Sequence, residues 1–347
     1  MSNPVRFGIV GCGGIAAFHA QAVETIPEAR LTAACSGSFE GARRFAEAHP
    51  GVVPCESFAA LLARDDVDAV CICTPSGLHT PQAIAAMRAG KHVVCEKPMS
   101  LTLEEADALI AAERETGRMV CIISQFRFSP AVREIRRALD AGAFGRIVSG
   151  SLSMKYFRSH EYYASAAWRG TWAMDGGGAL MNQGIHGVDV FRYLMGPVKS
   201  VHALARTLTR RIEVEDSAAA LLEFESGALG TLQASTTACP GYPRRIEICG
   251  EAGSVALEED SIARWDLPIP CALPVGEAAK NVGAANPLSI SNAGHLLQIR
   301  NFVDAILHGA PLTAGAATGR PPLEIILAVY ESSRTGKTVY LDGSRRI

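Results

Sequence analysis

The sequence predicts an α/β protein of two domains, a doubly wound parallel sheet followed by a second domain of antiparallel strands and helices. Three observations carry this. At 347 residues the chain is too long for one ordinary core. Its first third alternates short apolar runs with helical ones, as a parallel sheet covered on both faces requires. Beyond residue 125 the runs become consecutive, with period-two or short apolar character and turns between them, which means antiparallel pairing.

Residues 5–21, VRFGIVGCGGIAAFHAQ, begin with a buried strand (Phe7, Ile9, Val10) that runs into a glycine turn and then a helix over 15–23. Gly11, Gly13 and Ala16 have GxGxxA spacing. Gly11 permits the tight turn, Gly13 leaves room for a pyrophosphate, and Ala16 lets helix and strand pack closely. Gly14 and Ile15 open the helix, where free amides and the dipole favour phosphate. The stretch reads as a dinucleotide cradle.

The second strand, 31–35, ends in Ser36, Gly37 and Ser38 rather than in the acid that bonds ribose hydroxyls in NAD enzymes. Two hydroxyls, nearby amides and Arg43 or Arg44 can take a 2'-phosphate, so NADP is expected over NAD. The alternative is that both arginines face solvent. A third unit has strands over 69–73 and 91–95 around a turn and helix over 76–90. Ligands of such sheets bind beyond the carboxyl ends of the strands. Thr74, Pro75, Ser76 and His79 follow one end, and Glu96, Lys97 and Pro98 the next. There Lys97 either is pre-positioned over the cofactor or is a surface lysine in a turn. His79 opens an apolar helix, where capping or packing competes with cofactor contact.

Lysine plus arginine number 33 against 35 acidic residues, which favours a small ligand over a nucleic acid or an anionic membrane. Ten cysteines contain no CxxC pair, so neither a metal nor a disulfide is expected, and reduced core thiols in a cytosolic protein are. The sequence has no basic-then-apolar leader and no apolar run of membrane-spanning length, so a soluble protein that stays where it is made is expected.

A sixth strand over 119–124 is followed by Gln125, a candidate for cofactor contact at that strand end, and Arg127, and then by an amphipathic helix over 128–141. Strands follow at 147–154, 201–208, 217–224, 229–235, 245–249 and 254–257, turning at 225–227 and 250–253. One face of their sheet can bury itself on helices and the other can meet a second subunit. Residues 175–195, DGGGALMNQGIHGVDVFRYLM, are inserted between them. Their three glycines would let backbone approach a ligand. Asn182, His186 and Asp189, spaced by four and then three, would line one helical face as a proton-transfer site or an internal hydrogen-bond network. Lys155, Tyr156, Arg158, His160, Tyr162 and Tyr163, ahead of Trp168 and Arg169, suit a polar or phosphorylated substrate or an oligomer contact. Residues 266–293 read as a long loop, and 320–337 as a closing helix with proline at its start and glycine at its end.

GIVGCGGIA, CTPSGLH, GKHVVCEKP and GGGALMNQGIHGVD together resemble the glucose-fructose oxidoreductase, inositol dehydrogenase and rhizopine-catabolism family of NAD(P)-dependent sugar dehydrogenases, over essentially the whole chain. The resemblance implies a Rossmann domain over 1–124. A domain with a large, mostly antiparallel open sheet would follow over 125–347, its last helix able to pack back on the first, with assembly as dimers or tetramers. It implies hydride transfer between NADP, or NAD, and a hydroxyl carbon of a sugar, cyclitol or nucleotide sugar. His186 would be the general base and Lys97 the group that stabilises the alkoxide. Trp168 and Arg169 match a pair that the family places near cofactor and active site. Arg127, Lys155, Tyr156, Asn182 and His186 are candidates for substrate contact. Where the family commonly has aspartate, this chain has Asn182, which orients a hydroxyl but lends the histidine no charge. The hexapeptide MNQGIH resembles a branch acting on the 3-hydroxyl of nucleotide-linked amino sugars. Two other readings stand beside the dehydrogenase: a non-enzymatic dinucleotide sensor and a NAD-assisted glycosidase.

Overall fold

The computed structural model describes residues 3–276 and 291–341, so half of the 266–293 loop expected from the sequence, residues 277–290, lies outside the described residues. The chain divides into two compact units, Met1–Gln125 with Ser291–Arg320, and Phe126–Ile290 with Pro321–Ile347.

In the first unit β1 (Val5–Val10), α1 (Gly14–Thr25), β2 (Ala29–Cys35), α2 (Phe39–Ala48), β3 (Val53–Pro54), α3 (Phe58–Leu62), β4 (Ala69–Ile72), α4 (His79–Arg88), β5 (His92–Cys95), α5 (Leu103–Thr116) and β6 (Val120–Ile122) succeed one another. The strands form one parallel sheet in the order β3-β2-β1-β4-β5-β6. β4 and β6 are buried throughout, which is why they read as unbroken apolar runs. Hydroxyls start three of the helices. Ser38, Ser57 and Thr102 accept from the amides of Gly41, Ala60 and Glu105 at 3.2, 3.1 and 3.2 Å. A helix from much later in the chain, Ala293–His308, adds Ile299, Phe302 and Val303 to the core of Phe7, Ile9 and Val23.

The second unit contains α6 (Pro130–Asp140), β7 (Ile147–Lys155), α7 (His160–Ala164), α8 (Ile185–Met195), β8 (Val198–Arg206), β9 (Ser217–Phe224), β10 (Leu229–Ser235), β11 (Arg245–Gly250), β12 (Gly253–Glu258) and β13 (Ser261–Asp266). The Ala293–His308 helix becomes α9, and α10 (Ala316–Thr335) and β14 (Val339–Tyr340) end the described chain. Among the described residues the second sheet has the order β13-β12-β11-β7-β10-β9-β8-β14. Its pairings are antiparallel except that of β7 with β10. Among the boundaries that differ from the sequence expectation, two have a clear local cause. Pro321 and Pro322 lie inside α10 instead of opening it, and the division between units falls just before this pair, which lacks amide hydrogens. α8 begins only at Ile185, because the preceding residues fold as tight turns closed by Gln183 N–H to Gly178 O and Gly184 N–H to Leu180 O. No helix among the described residues is long and apolar enough to cross a membrane.

Candidate active site

The glycine turn has the shape a dinucleotide needs. Gly11 has φ +89°, and a Cβ there would lie 2.9 Å from the Cys73 carbonyl carbon and oxygen and from Thr74 Cγ2. Gly13 is the N-cap of α1, offers no side-chain cap, and has nothing within 4 Å of where a Cβ would stand. The open space beside Gly13, where α1 begins with Gly14 and Ile15, fits a pyrophosphate at a helix N-terminus. At the end of β2 the Ser36 and Ser38 hydroxyls each stand 3.2 Å from the Cβ position of Gly41, so both gather at the start of α2, beside Gly37. Arg43 is drawn to its own helix by Glu40 at 3.7 Å and Glu47 at 3.6 Å.

Beyond β4, Thr74 Oγ1 donates to Gln82 Oε1 at 2.6 Å, and Pro75 precedes a single tight turn, Ser76–Leu78. Three residues expected to face the cofactor are turned inward. His79 is 1% exposed, with Nδ1 2.7 Å from the Pro98 carbonyl oxygen and Nε2 2.8 Å from that of Thr74, and burial pushes its pKa down. It ties the two strand ends together. Glu96 is buried with Oε1 2.7 Å from His19 Nε2 and 3.8 Å from His295 Nε2. Burial opposes the Glu96 charge, but the bonds and charges of His19 and His295 hold its carboxyl well below the usual range. Gln125 is buried where α9 comes close, a Gly294 Cβ falling 3.0 Å from its own. Lys97 follows Glu96, and the Lys97–Pro98 peptide is cis.

In the second unit His186 lies in the first turn of α8, with its ring edge-on to Phe126 at 5.4 Å. The Arg244 guanidinium covers the Phe126 ring at 4.1 Å. The expected stripe of Asn182, His186 and Asp189 is not one helical face, because Asn182 precedes the helix. Its amide donates to the buried Asp175 carboxylate and accepts from Gln183 Nε2 at 2.7 Å. Asp189 instead accepts from Arg127 at 2.8 and 2.5 Å, with both side chains about 95% buried. Arg127 is thus a structural partner rather than a group presented to substrate. The glycines before Asn182 also serve packing. A Cβ on Gly177 would be 2.1 Å from Tyr330 Oη, and one on Gly178 would be 2.1 Å from the Glu215 carbonyl oxygen. Glu215 closes that contact by accepting the Gly178 and Leu180 amides at 3.0 and 2.8 Å.

Lys155 ends β7, and Tyr156 is buried beneath Arg158 at 5.6 Å instead of reaching into a loop. Arg158 donates to Gln183 at 2.8 Å. Arg169 stacks on Trp168 at 4.6 Å and on Tyr162 at 4.4 Å, and donates to the Tyr162 hydroxyl at 2.8 Å. Its guanidinium, with His160, Arg211 and Glu213, lines a cavity of about 330 Å³. Phe126, Arg244 and Asp175 escaped sequence reasoning. Asp175 was visible as the acid before the glycines, whereas nothing in the spacing linked Arg244 to His186.

A parallel sheet in this strand order, with an uncapped glycine turn before its first helix, defines a dinucleotide-binding unit. The oxidoreductase family with an NAD-binding Rossmann fold matches residues 5–124, and the GFO/IDH/MocA C-terminal domain matches 132–256. The chain belongs to the GFO/IDH/MocA family and is an NAD-binding oxidoreductase. It is 30% identical over 342 residues to an inositol 2-dehydrogenase of Rhizobium meliloti, covering 94% of this chain and 96% of that one. It is 33% identical over 314 residues to the dTDP-3,4-didehydro-2,6-dideoxy-alpha-D-glucose 3-reductase of Actinomadura kijaniata, covering 89% of each. Among solved structures, the WlbA dehydrogenase of Bordetella pertussis in complex with NADH and UDP-GlcNAcA has TM-score 0.90 and 33% identity, over 98% of this chain and 99% of that one.

Proposed function

We propose that this protein is a dehydrogenase or reductase of a nucleotide-linked sugar, with Lys97 and His186 carrying the chemistry. The observation that bears most weight is the fastening of the Lys97 backbone at the carboxyl end of β5, between the buried Glu96 carboxylate and the His79 contact to Pro98. The nicotinamide, when bound, accepts or supplies the hydride. Lys97 contributes an ammonium, most valuable where an alkoxide develops away from water. His186, with its ring set by Phe126, takes the hydroxyl proton. Asn182, steadied by Asp175, orients a sugar hydroxyl. Arg169 and Lys155 supply positive charge for a phosphorylated substrate, and Trp168 beside Arg169 a stacking surface.

The substrate class rests on the two relatives that carry nucleotide sugars in their names and on the cationic lining of the cavity by Arg169 and Arg211. NADP is favoured over NAD because β2 ends without a carboxylate and two hydroxyls meet at the start of α2. Homo-oligomerisation fits the exposed Leu204, Leu221 and Leu229 on the second sheet, and a reducing cytoplasm fits ten free cysteines.

The test is nicotinamide absorbance with NADP and NAD against nucleotide sugars, cyclitols and free sugars. Turnover is expected with nucleotide sugars, falling about 10²-fold or more in Lys97→Ala and in His186→Ala. Reaction of inositols alone would overturn the substrate class. Tight cofactor binding with no reduction would favour a sensor, and glycoside cleavage without net reduction the glycosidase reading.

A further inference from the structure

Glu96 follows β5 directly and is 6% exposed. One carboxylate oxygen meets His19 Nε2 at 2.7 Å, with His295 Nε2 at 3.8 Å from the same atom. The other accepts the Lys97 main-chain N–H at 3.3 Å. The two imidazoles are 0% and 1% exposed and stand edge to face with centroids 5.7 Å apart. A buried carboxylate costs more than apolar packing would at the same place unless its charge is matched and its lone pairs are used. Here His19 matches the charge, and the remaining oxygen is turned to the next residue along the chain.

We propose that His19, Glu96 and His295 form a positioning device for Lys97. His19 holds the carboxylate in one rotamer, with His295 standing beside the same oxygen. The carboxylate fixes the Lys97 amide, and with it the direction in which the ammonium leaves the strand end. The following residues are clamped as well, since His79 Nδ1 meets the Pro98 carbonyl at 2.7 Å and Thr80 Oγ1 donates to the Met99 carbonyl at 3.1 Å. The three side chains offer ligand atoms within 4.8 Å of one another, a grouping a metal ion could also use. The spacing argues for a shared proton. Two ligands on a tetrahedral ion with bonds of about 2.1 Å stand roughly 3.4 Å apart, whereas His19 and Glu96 are 2.7 Å apart.

This inference rests on the catalytic reading of Lys97, so its test carries two readouts. Glu96→Gln is expected to lower kcat roughly 10- to 100-fold, with KM and cofactor Kd within about 2-fold. In a Lys97→Ala background the same change should alter residual turnover by less than about 2-fold, because the effect passes through Lys97. His19→Gln keeps a donor for the carboxylate and should recover most of the turnover that His19→Leu loses. Hydrogen exchange at the Lys97 amide should accelerate in Glu96→Gln and in His19→Leu. Equal kcat losses in both backgrounds, unchanged amide exchange, or one tightly held zinc or iron per chain lost on His295→Asn would each overturn the proposal. If Lys97→Ala leaves turnover intact while amide exchange still responds to Glu96→Gln, the device stands and the catalytic reading of Lys97 falls.

Discussion

A methyl group on Gly178 would meet the Glu215 carbonyl oxygen at 2.1 Å, against backbone that Glu215 itself has bonded in place. Gly178→Ala is expected to cost about 3 kcal/mol, read from the midpoint of urea unfolding. The buried pair of Glu96 and His19 gives stability a pH profile. Glu96 is held well below its ordinary 4.5, so its contribution is complete above that value and is lost as pH falls through the folded value. Burial opposes a charge on His19, but the Cys73 and Cys71 sulfurs and Glu96 raise it well above its ordinary 6.5. Its contribution is complete below that value and is lost as pH rises through the folded one. The melting temperature should therefore drop in acid below the carboxylate range, and Glu96→Gln should flatten that drop in scans taken from pH 7 to pH 3.

At the scale of elements, caps and strands followed directly from local chemistry. Thr102 is followed three residues later by Glu105, and α5 starts there with Glu105 Oε2 accepting the Leu101 amide at 3.0 Å. Thr102→Ala should cost about 1 kcal/mol by the same urea assay. The apolar runs of β4, β5 and β6 and the glycine turn of β1 were legible in the sequence, since each depends on residues within a few positions. The region before α8 was not. Asn182, His186 and Asp189 have helical spacing, but the turn chemistry of residues 176–184 sets where the helix begins, and Tyr330 and Glu215 set how the glycines pack. Neither partner adjoins that region in sequence. For Glu96 and His79, too, the direction of the side chain is not set by neighbouring residues. Sequence places them at strand ends, where ligands bind, but their direction is decided by His19, His295 and the Pro98 carbonyl.

For the whole molecule, the second sheet sets the expected assembly. Leu204 on β8, Leu221 on β9 and Leu229 on β10 are 58–65% exposed, beside neighbours that alternate inward. Light scattering should report a dimer or tetramer, and Leu221→Asp combined with Leu229→Asp should shift it toward monomer. A monomeric wild type would remove that reading. The first unit, finally, is not continuous along the chain. Ile299, Phe302 and Val303 of α9 fill a core begun by Phe7, Ile9 and Val23, and His295 of the same helix completes the cluster around Glu96. A ribosome making this protein releases the glycine turn long before the helix that completes its core, with residues 126–290 made in between. Until residue 308 has emerged, the nascent first unit carries an uncovered apolar flank, so its maturation is timed by the synthesis of everything between.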